Sequence, residues 1–96
     1  GPKTAIASYY SGNNQLPTSN TQAGIADATA ISGESVKSVE IDPDNSGDGE
    51  IVVTFTSKVD GGDPTIIIMP NTTGGSINWT CTGGTLLNKY RPANCR

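Results

Sequence analysis

The stretch that decides the fold is residues 76–96, SINWTCTGGTLLNKYRPANCR, which contains the only two cysteines of the chain, Cys81 and Cys95. Its first part alternates apolar and polar residues, so Cys81 closes a strand that has one apolar face. A bond between the cysteines would pin the C-terminus onto that strand, and closing such a loop is worth roughly 3 kcal/mol in the chain-entropy model. The alternatives are two buried free thiols and a zinc site, although the chain has no histidine to complete a zinc site.

Length and composition limit which classes of protein this chain can belong to. The 96 residues allow one domain, and a domain this small gains stability from a covalent staple. Hydrophobic residues make up 33% of the chain, and Gly, Ser, Thr and Asn are abundant, as in loop-rich surface proteins. A net charge of −3 argues against a nucleic-acid footprint over the whole surface. A disulfide persists in the periplasm or outside the cell, so a bonded cysteine pair would indicate one of those compartments.

The N-terminal residues predict the end of a longer helix. Gly1 and Pro2 match the remnant of a cleaved affinity tag, so we expect that an N-terminal segment has been removed. Apolar side chains at helical spacing form a stripe within residues 3–12, and Gly12 with the two asparagines after it supplies helix-ending chemistry. A helix this short must pack on a sheet or continue a longer helix.

The remainder of the chain predicts a long connection followed by a sheet. Residues 13–34 are polar, with Ile25 and Ile31 as expected anchors and a short helical turn expected at residues 24–30. Four strands follow, joined by turn-rich segments, at residues 36–41, 51–56, 65–69 and 77–81. Short successive strands with brief links indicate an antiparallel meander. The predicted fold class is therefore α+β, a helix end packed on a four-stranded antiparallel sheet with a cysteine-bounded tail.

This order of elements, with these residues, resembles the globular head of the type IV pilins. The run GGSINWTCTGGTLLNKYRPANCR is similar to the final strand and disulfide loop of type IVa pilins, and residues 3–24 are similar to the end of the pilin spine helix and the start of its αβ loop. The resemblance implies one pilin domain over residues 3–96, in which Cys81 and Cys95 bound the disulfide loop. Its implied parts are the spine helix end, the αβ loop, the sheet, and the disulfide-bounded loop and tail, at residues 3–12, 13–34, 35–81 and 82–96.

The resemblance also implies a function. Type IV pilins are structural subunits of a surface fibre of Gram-negative bacteria, used in adhesion, twitching motility, DNA uptake (natural transformation) and biofilm formation. They have an N-methylated N-terminus and an apolar helix half, removed here, that anchors the subunit in the inner membrane before assembly, with the head in the periplasm. Expected partners are other pilin subunits, the pilus assembly machinery and a host glycan or surface receptor, with only weak support for DNA. No cofactor is expected.

Other identities stay open alongside this interpretation. A minor pilin would share the fold, whereas a type II secretion pseudopilin would be expected to lack this cysteine pair and to bind calcium at a loop. A melting temperature that does not respond to calcium would count against a pseudopilin. A stand-alone secreted carbohydrate-binding module is the alternative from a different class. That alternative fails if the native gene encodes a prepilin leader and a long apolar helix upstream of Lys3.

Residues 42–50, DPDNSGDGE, form an acidic loop that is a weak metal-site candidate. Its start is similar to an EF-hand calcium loop, but the closing glutamate of that loop is absent, because the twelfth position is Val53 inside a predicted strand. The sequence therefore favours a solvated hairpin turn, with Asn and Gly at positive φ, over a calcium site. The four acidic candidates are Asp42, Asp44, Asp48 and Glu50.

The cysteine-bounded tail holds a second candidate site. Lys89, Tyr90 and Arg91 combine hydrogen-bond donors with an aromatic face, a mixture that could bind glycans or stack on single-stranded nucleic acid. One aromatic ring and a few cations are too little for a nucleic-acid site. Trp79 is expected in the core, because it shares a strand face with Ile77 and Cys81.

Residue types needed for common catalytic mechanisms are missing. Without histidine there is no Ser-His or Cys-His pair, and a disulfide would use both cysteines. The carboxylates of Asp60 and Asp63 lie in a Gly-rich turn with no pocket signal. We therefore predict that the protein is not an enzyme.

Overall fold

The computed structural model describes residues 2–58 and 61–96, so predictions that fall on Gly1, Val59 and Asp60 lie outside the described residues. Two α-helices are described, α1 (Pro2–Asn13) and α2 (Asn20–Ala23). Four strands follow, β1 (Val36–Ile41), β2 (Ile51–Phe55), β3 (Thr65–Asn71) and β4 (Asn78–Gly83). Three short 3₁₀ helices are Ala28–Ala30, Asn88–Tyr90 and Ala93–Cys95.

The strands form one sheet in the order β1-β2-β3-β4, and every neighbouring pair is antiparallel. The predicted meander is therefore confirmed. Ile41 lies opposite Ile51, and Ile51 in turn lies opposite Ile68, so apolar residues of three strands line up across one face. Since the order is open, β1 and β4 are the two edge strands.

Helix α1 packs across that apolar face. Ile6 is fully buried and forms the core with Val39, Ile41 and Ile51. Burying an aliphatic side chain of this size stabilises a fold by about 1.5–3 kcal/mol relative to leaving it exposed, so these few residues carry much of the stability. Trp79 is half-buried and packs against the same cluster, as predicted. The α+β class, with a helix on a four-stranded antiparallel sheet, is confirmed.

The end of α1 differs slightly from the prediction. The helix continues through Gly12 to Asn13, and Asn14 ends it with φ of 56°. The N–H group of Asn14 donates to the carbonyl of Tyr10 at 2.8 Å, which satisfies one of the last helical carbonyls. Asparagine tolerates the left-handed conformation, so the helix ends on Asn14 rather than on Gly12.

The connection between α1 and β1 is more ordered than predicted. The short helical turn predicted within residues 24–30 is present as the 3₁₀ helix Ala28–Ala30, and α2, which lies before it, was not predicted. The Ser19 side chain accepts a hydrogen bond from the Gln22 N–H and begins α2, and Gly24 ends α2 with φ of 77°. Ile25 and Ile31 pack against the core, which confirms them as anchors.

Candidate functional site

The disulfide bond joins Cys81 on β4 to Cys95 in the 3₁₀ helix Ala93–Cys95, with the Cα atoms 4.8 Å apart. The predicted pairing is confirmed, and the free-thiol and zinc alternatives are wrong. The bond holds residues 82–96, named here the disulfide loop, against an edge strand of the sheet. A frayed C-terminus is thereby converted into part of the folded domain.

A glycine turn directs the disulfide loop back onto β3. Gly84 has φ of 98°, and a Cβ atom there would lie 2.3 Å from the carbonyl oxygen of Thr65. The N–H group of Leu86 donates to that same carbonyl at 2.9 Å, and the Leu86 side chain is buried. Only glycine allows this close approach, so Gly84 fixes where the loop begins.

Arg91 lies inside the disulfide loop rather than on its surface. It is 4% exposed, although arginine is rarely buried unless its donors are used. Its Nε donates to the carbonyl of Leu86 at 2.8 Å. Its Nη1 donates to three further carbonyls, those of Gly83 at 2.9 Å, Cys81 at 3.1 Å and Cys95 at 3.3 Å.

These contacts change what the predicted binding residues can do. Nε and Nη1 of Arg91 donate to backbone carbonyls and the residue is buried, so the expectation that Arg91 is a surface binding residue is corrected. Lys89 and Tyr90 do lie at the surface, with Tyr90 45% exposed. The Lys89 ammonium lies 5.0 Å from the centre of the Tyr90 ring. Binding of a glycan by Lys89 and Tyr90 stays a prediction.

At the opposite edge of the sheet, Asn20 has a comparable role. It is 6% exposed, and its Nδ2 donates to the carbonyls of Ala26 and Val39, each at 2.9 Å. Its Oδ1 accepts from the N–H of Ile41 at 2.7 Å. The side-chain amide therefore pairs with the outer edge of β1 as a further strand would. The sequence analysis missed Asn20, because its partners are far along the chain.

The acidic loop joins β1 to β2, and the structure brings three of its four acids together. One carboxylate oxygen from each of Asp42, Asp44 and Glu50 lies within 4.8 Å of the others. Asp48 is outside this group and is exposed. Asp42 is 2% exposed and Glu50 is 7% exposed. The predicted hairpin turn does join β1 to β2, and its middle is exposed, but Asp42 and Glu50 at its ends are buried because they lie where the two strands leave and enter the core.

The two buried carboxyl groups of the acidic loop, those of Asp42 and Glu50, differ in their hydrogen-bond partners. The Asp42 carboxylate accepts hydrogen bonds from the Ser46 N–H at 3.0 Å, the Ser46 hydroxyl at 3.1 Å and the Gly47 N–H at 2.8 Å. Gly47 has φ of 87° and Asn45 has φ of 55°, as predicted for this turn. Glu50 Oε1 is buried and has no hydrogen-bond partner among the residues that the structure describes.

The pKa values of these two carboxyls move in opposite directions. Burial, a hydrogen bond with Asp42 and the negative charges of Asp44, Asp42 and Asp48 raise the pKa of Glu50 to about 7. Burial also opposes ionisation of Asp42, but the hydrogen bonds that its carboxylate accepts, first of all from Gly47, lower its pKa below the ordinary value. This pattern is typical of two carboxyls that share one proton.

Comparison with known proteins identifies the family. The family model for Pilin, described as a bacterial filament protein, matches residues 1–96. The chain belongs to the pilin family. Pilins are structural proteins rather than enzymes, and their name denotes a filament subunit. The helix, the antiparallel meander and the stapled tail of this pilin chain agree with the resemblance seen in the sequence.

Two curated relatives of the pilin chain are both named fimbrial protein. The one from Neisseria meningitidis serogroup A is 30% identical over 84 residues, which cover 84% of this chain and 46% of the relative. The one from Neisseria meningitidis serogroup B is 28% identical over 97 residues, which cover 98% of this chain and 54% of the relative. The pilin chain thus spans about half the length of these relatives.

Proposed function

We propose that this chain is the globular head of a type IV pilus subunit, which polymerises into a bacterial surface fibre. The observation that carries the proposal is the pilin match over residues 1–96. The geometry supports it, because the C-terminal tail is bonded to an edge strand and held there a second time by Arg91. A tail held in this way resists peeling when the fibre bears load.

The proposed location is a fibre on the cell surface, with the head in the periplasm and the subunit anchored in the inner membrane before assembly. Within residues 2–58 and 61–96, no helix has the length and hydropathy needed to cross a bilayer. The anchor in the proposal is the apolar helix half that the resemblance to type IV pilins implies. We propose that the domain has the four parts that the resemblance implies. In chain order these are the spine helix end, the αβ loop, the sheet and the disulfide loop.

The proposed partners are other pilin subunits in a helical filament and the pilus assembly machinery. Repeated head-to-tail contacts that do not close into a ring generate such filaments. Adhesion, twitching motility, DNA uptake and biofilm formation are the proposed uses of the fibre. Lys89 and Tyr90 are the proposed contacts for a host glycan, because both are exposed on the disulfide loop. A single exposed aromatic ring gives DNA little support as a ligand.

The test is to shear filaments from the native organism and to measure the intact mass and N-terminal sequence of the dominant subunit. We expect a processed, N-methylated subunit whose sequence contains this chain. Filaments built from another subunit, with this chain only in trace, would instead indicate a minor pilin or pseudopilin. The disulfide argues against a pseudopilin. Secretion of the chain as a free protein, from a gene that encodes no prepilin leader and no long apolar helix upstream, would overturn the proposal in favour of a carbohydrate-binding module.

A further inference from the structure

The acidic loop, residues 42–50, has the dimensions of a calcium site. Calcium binds oxygen ligands at about 2.3–2.6 Å, so two oxygens on one ion lie at most about 5 Å apart. The carboxylate oxygens of Asp42, Asp44 and Glu50 lie within 4.8 Å of one another, which meets that limit. Magnesium binds at about 2.0–2.1 Å and would need the oxygens within about 4 Å, so the cluster fits the larger ion better.

A second, independent observation is the Glu50 side chain. It is more than nine-tenths buried and belongs to the carboxylate cluster, yet its Oε1 has no hydrogen-bond partner in the described part of the chain. Burying a carboxylate oxygen without a partner is unfavourable, and buried charges are normally paired or coordinate a metal. A bound cation would supply the missing partner.

No basic side chain fills that role among the residues described. The two ion pairs found there join Lys37 to Asp63 and Lys58 to Glu34, all outside the acidic loop. The negative charge of the loop is therefore left without a nearby cation from the chain itself. A proton shared by Asp42 and Glu50 neutralises one of these charges, and an external cation would compensate the others.

The backbone of the loop is compatible with a bound ion. Asp42, Asp44 and Ser46 occupy the spacing of the first, third and fifth positions of an EF-hand loop, and Gly47 occupies the glycine position. The absent twelfth-position glutamate counted against this site in the sequence, since Val53 stands there. In the fold, Glu50 at the ninth position reaches the cluster instead, because β2 begins immediately after it.

We propose that the acidic loop binds one Ca²⁺ ion through the carboxylates of Asp42, Asp44 and Glu50, with water completing the coordination. The ion would tie the end of β1 to the start of β2. It would also fix the contact between the loop and the αβ connection, where the Leu16 side chain packs so closely on Gly49 that a Cβ there would lie 2.8 Å away. The site lies outside the disulfide loop and does not depend on the proposed filament function.

The first experiment measures calcium binding by the chain itself. The protein is stripped with EDTA, desalted and titrated with CaCl₂ by isothermal calorimetry at pH 7.5, and its melting temperature is followed in CaCl₂, MgCl₂ and EDTA. We expect one calcium site per chain. With an affinity typical of extracellular calcium modules, 10 mM CaCl₂ should raise Tm by about 5 °C or more, and MgCl₂ should raise it less.

Three variants then separate the site from general charge effects. Glu50→Gln and Asp44→Asn should abolish the calcium-induced rise in Tm. Asp48→Asn removes the same charge from the same loop but lies outside the cluster, so it should keep the rise. In EDTA, Glu50→Gln should melt at or above the parent temperature, because a neutral amide replaces a buried carboxylate. That result would show that the variant is folded and has lost only its calcium-induced rise in Tm.

Three results would overturn the proposal. Absence of binding heat and of any calcium effect on Tm would leave a carboxyl pair that shares a proton and binds no ion. Equal calcium responses in the parent, Glu50→Gln and Asp44→Asn would mean that calcium acts elsewhere or only by screening. Equal stabilisation by magnesium and calcium would refute the assignment of calcium.

Discussion

Replacing Arg91 tests whether buried hydrogen bonds hold the disulfide loop as firmly as the disulfide does. Arg91→Met keeps the length of the aliphatic stem and removes the guanidinium. Two of its bonds are short, at 2.8 Å to Leu86 O and 2.9 Å to Gly83 O, and hydrogen bonds from a charged donor contribute about 1.5 kcal/mol or more each. The two longer bonds share Nη1 with the second of these, so we assign them no separate energy.

The expected loss is therefore about 3 kcal/mol, similar to the roughly 3 kcal/mol assigned to the disulfide. For a domain of this size, that loss corresponds to a fall in Tm of about 12–24 °C. Arg91→Lys keeps the charge but has one nitrogen in place of the fork, so it should fall between the parent and Arg91→Met. The assay is thermal and urea unfolding followed by far-UV circular dichroism.

Lys89→Met is the matched control, because it removes a nearby cation that is exposed, and its ΔG of unfolding should change by less than about 0.5 kcal/mol. If Arg91→Met melts at the temperature of Lys89→Met, the guanidinium contacts contribute no net stability and the reasoning fails. A double-mutant cycle with Cys95→Ser adds a second check. Releasing Cys95 frees the tail that carries Arg91, so the guanidinium is held less firmly against the carbonyls of Leu86 and Gly83, and the cost of Arg91→Met should shrink in that background.

Three further predictions follow from single positions. Gly84→Ala should destabilise the chain by about 2 kcal/mol or more, because φ is positive and the Cβ would meet Thr65, whereas Gly33→Ala, with nothing within 4 Å, should leave urea unfolding nearly unchanged. Cys95→Ser should lower ΔG of unfolding by about 2–4 kcal/mol and abolish piliation, so unchanged melting together with a normal fibre yield would contradict the staple argument. In EDTA, the free energy of unfolding should fall as pH rises, because the fold favours the protonated form of Glu50. The stabilisation is fully present below pH 4.5 and is lost as pH rises through about 7, a fall of about 3 kcal/mol. Glu50→Gln should remove that fall in stability above pH 4.5. Because the pKa of Asp42 is lowered, protonation of Asp42 should still destabilise the variant below about pH 4. A fall towards pH 7 that persists in Glu50→Gln would show that another group causes it.

The sheet could be predicted from the sequence because its signals are local. Alternating apolar residues and Gly-rich turns placed β1 at its observed bounds and β2 within one residue of them. β3 and β4 each extend two residues further than predicted, to Asn71 and Gly83, because pairing with a neighbour continues strands into polar residues. Helix α2 was missed, although Ser19 and Gln22 have the spacing of a helix-capping pair and Gly24 follows as an end signal.

The candidate sites depended on long-range contacts, which residue type and spacing do not reveal. Arg91 was predicted at the surface because it lies in a polar, proline-containing segment, yet its acceptors belong to a turn and a strand brought near it by the fold. Glu50 was predicted to be solvated because its neighbours are acidic and Gly-rich. It is buried because it is the residue before β2, where the strand enters the core at Ile51.

The two edges of the sheet bear on how such a head can assemble. An open edge strand exposes unpaired backbone groups and is a template for pairing with another chain. Here the side-chain amide of Asn20 takes the outer groups of Val39 and Ile41 on β1, and the guanidinium of Arg91 takes the outer carbonyls of Cys81 and Gly83 on β4.

Both are polar side chains from the connections that flank the sheet, and each pairs with two outer backbone groups of an edge strand without adding a strand. Backbone groups paired in this way are unavailable for pairing with a neighbouring chain. By this reasoning, Asn20→Ala and Arg91→Met should increase non-filamentous aggregation of the isolated head, whereas Lys89→Met should not.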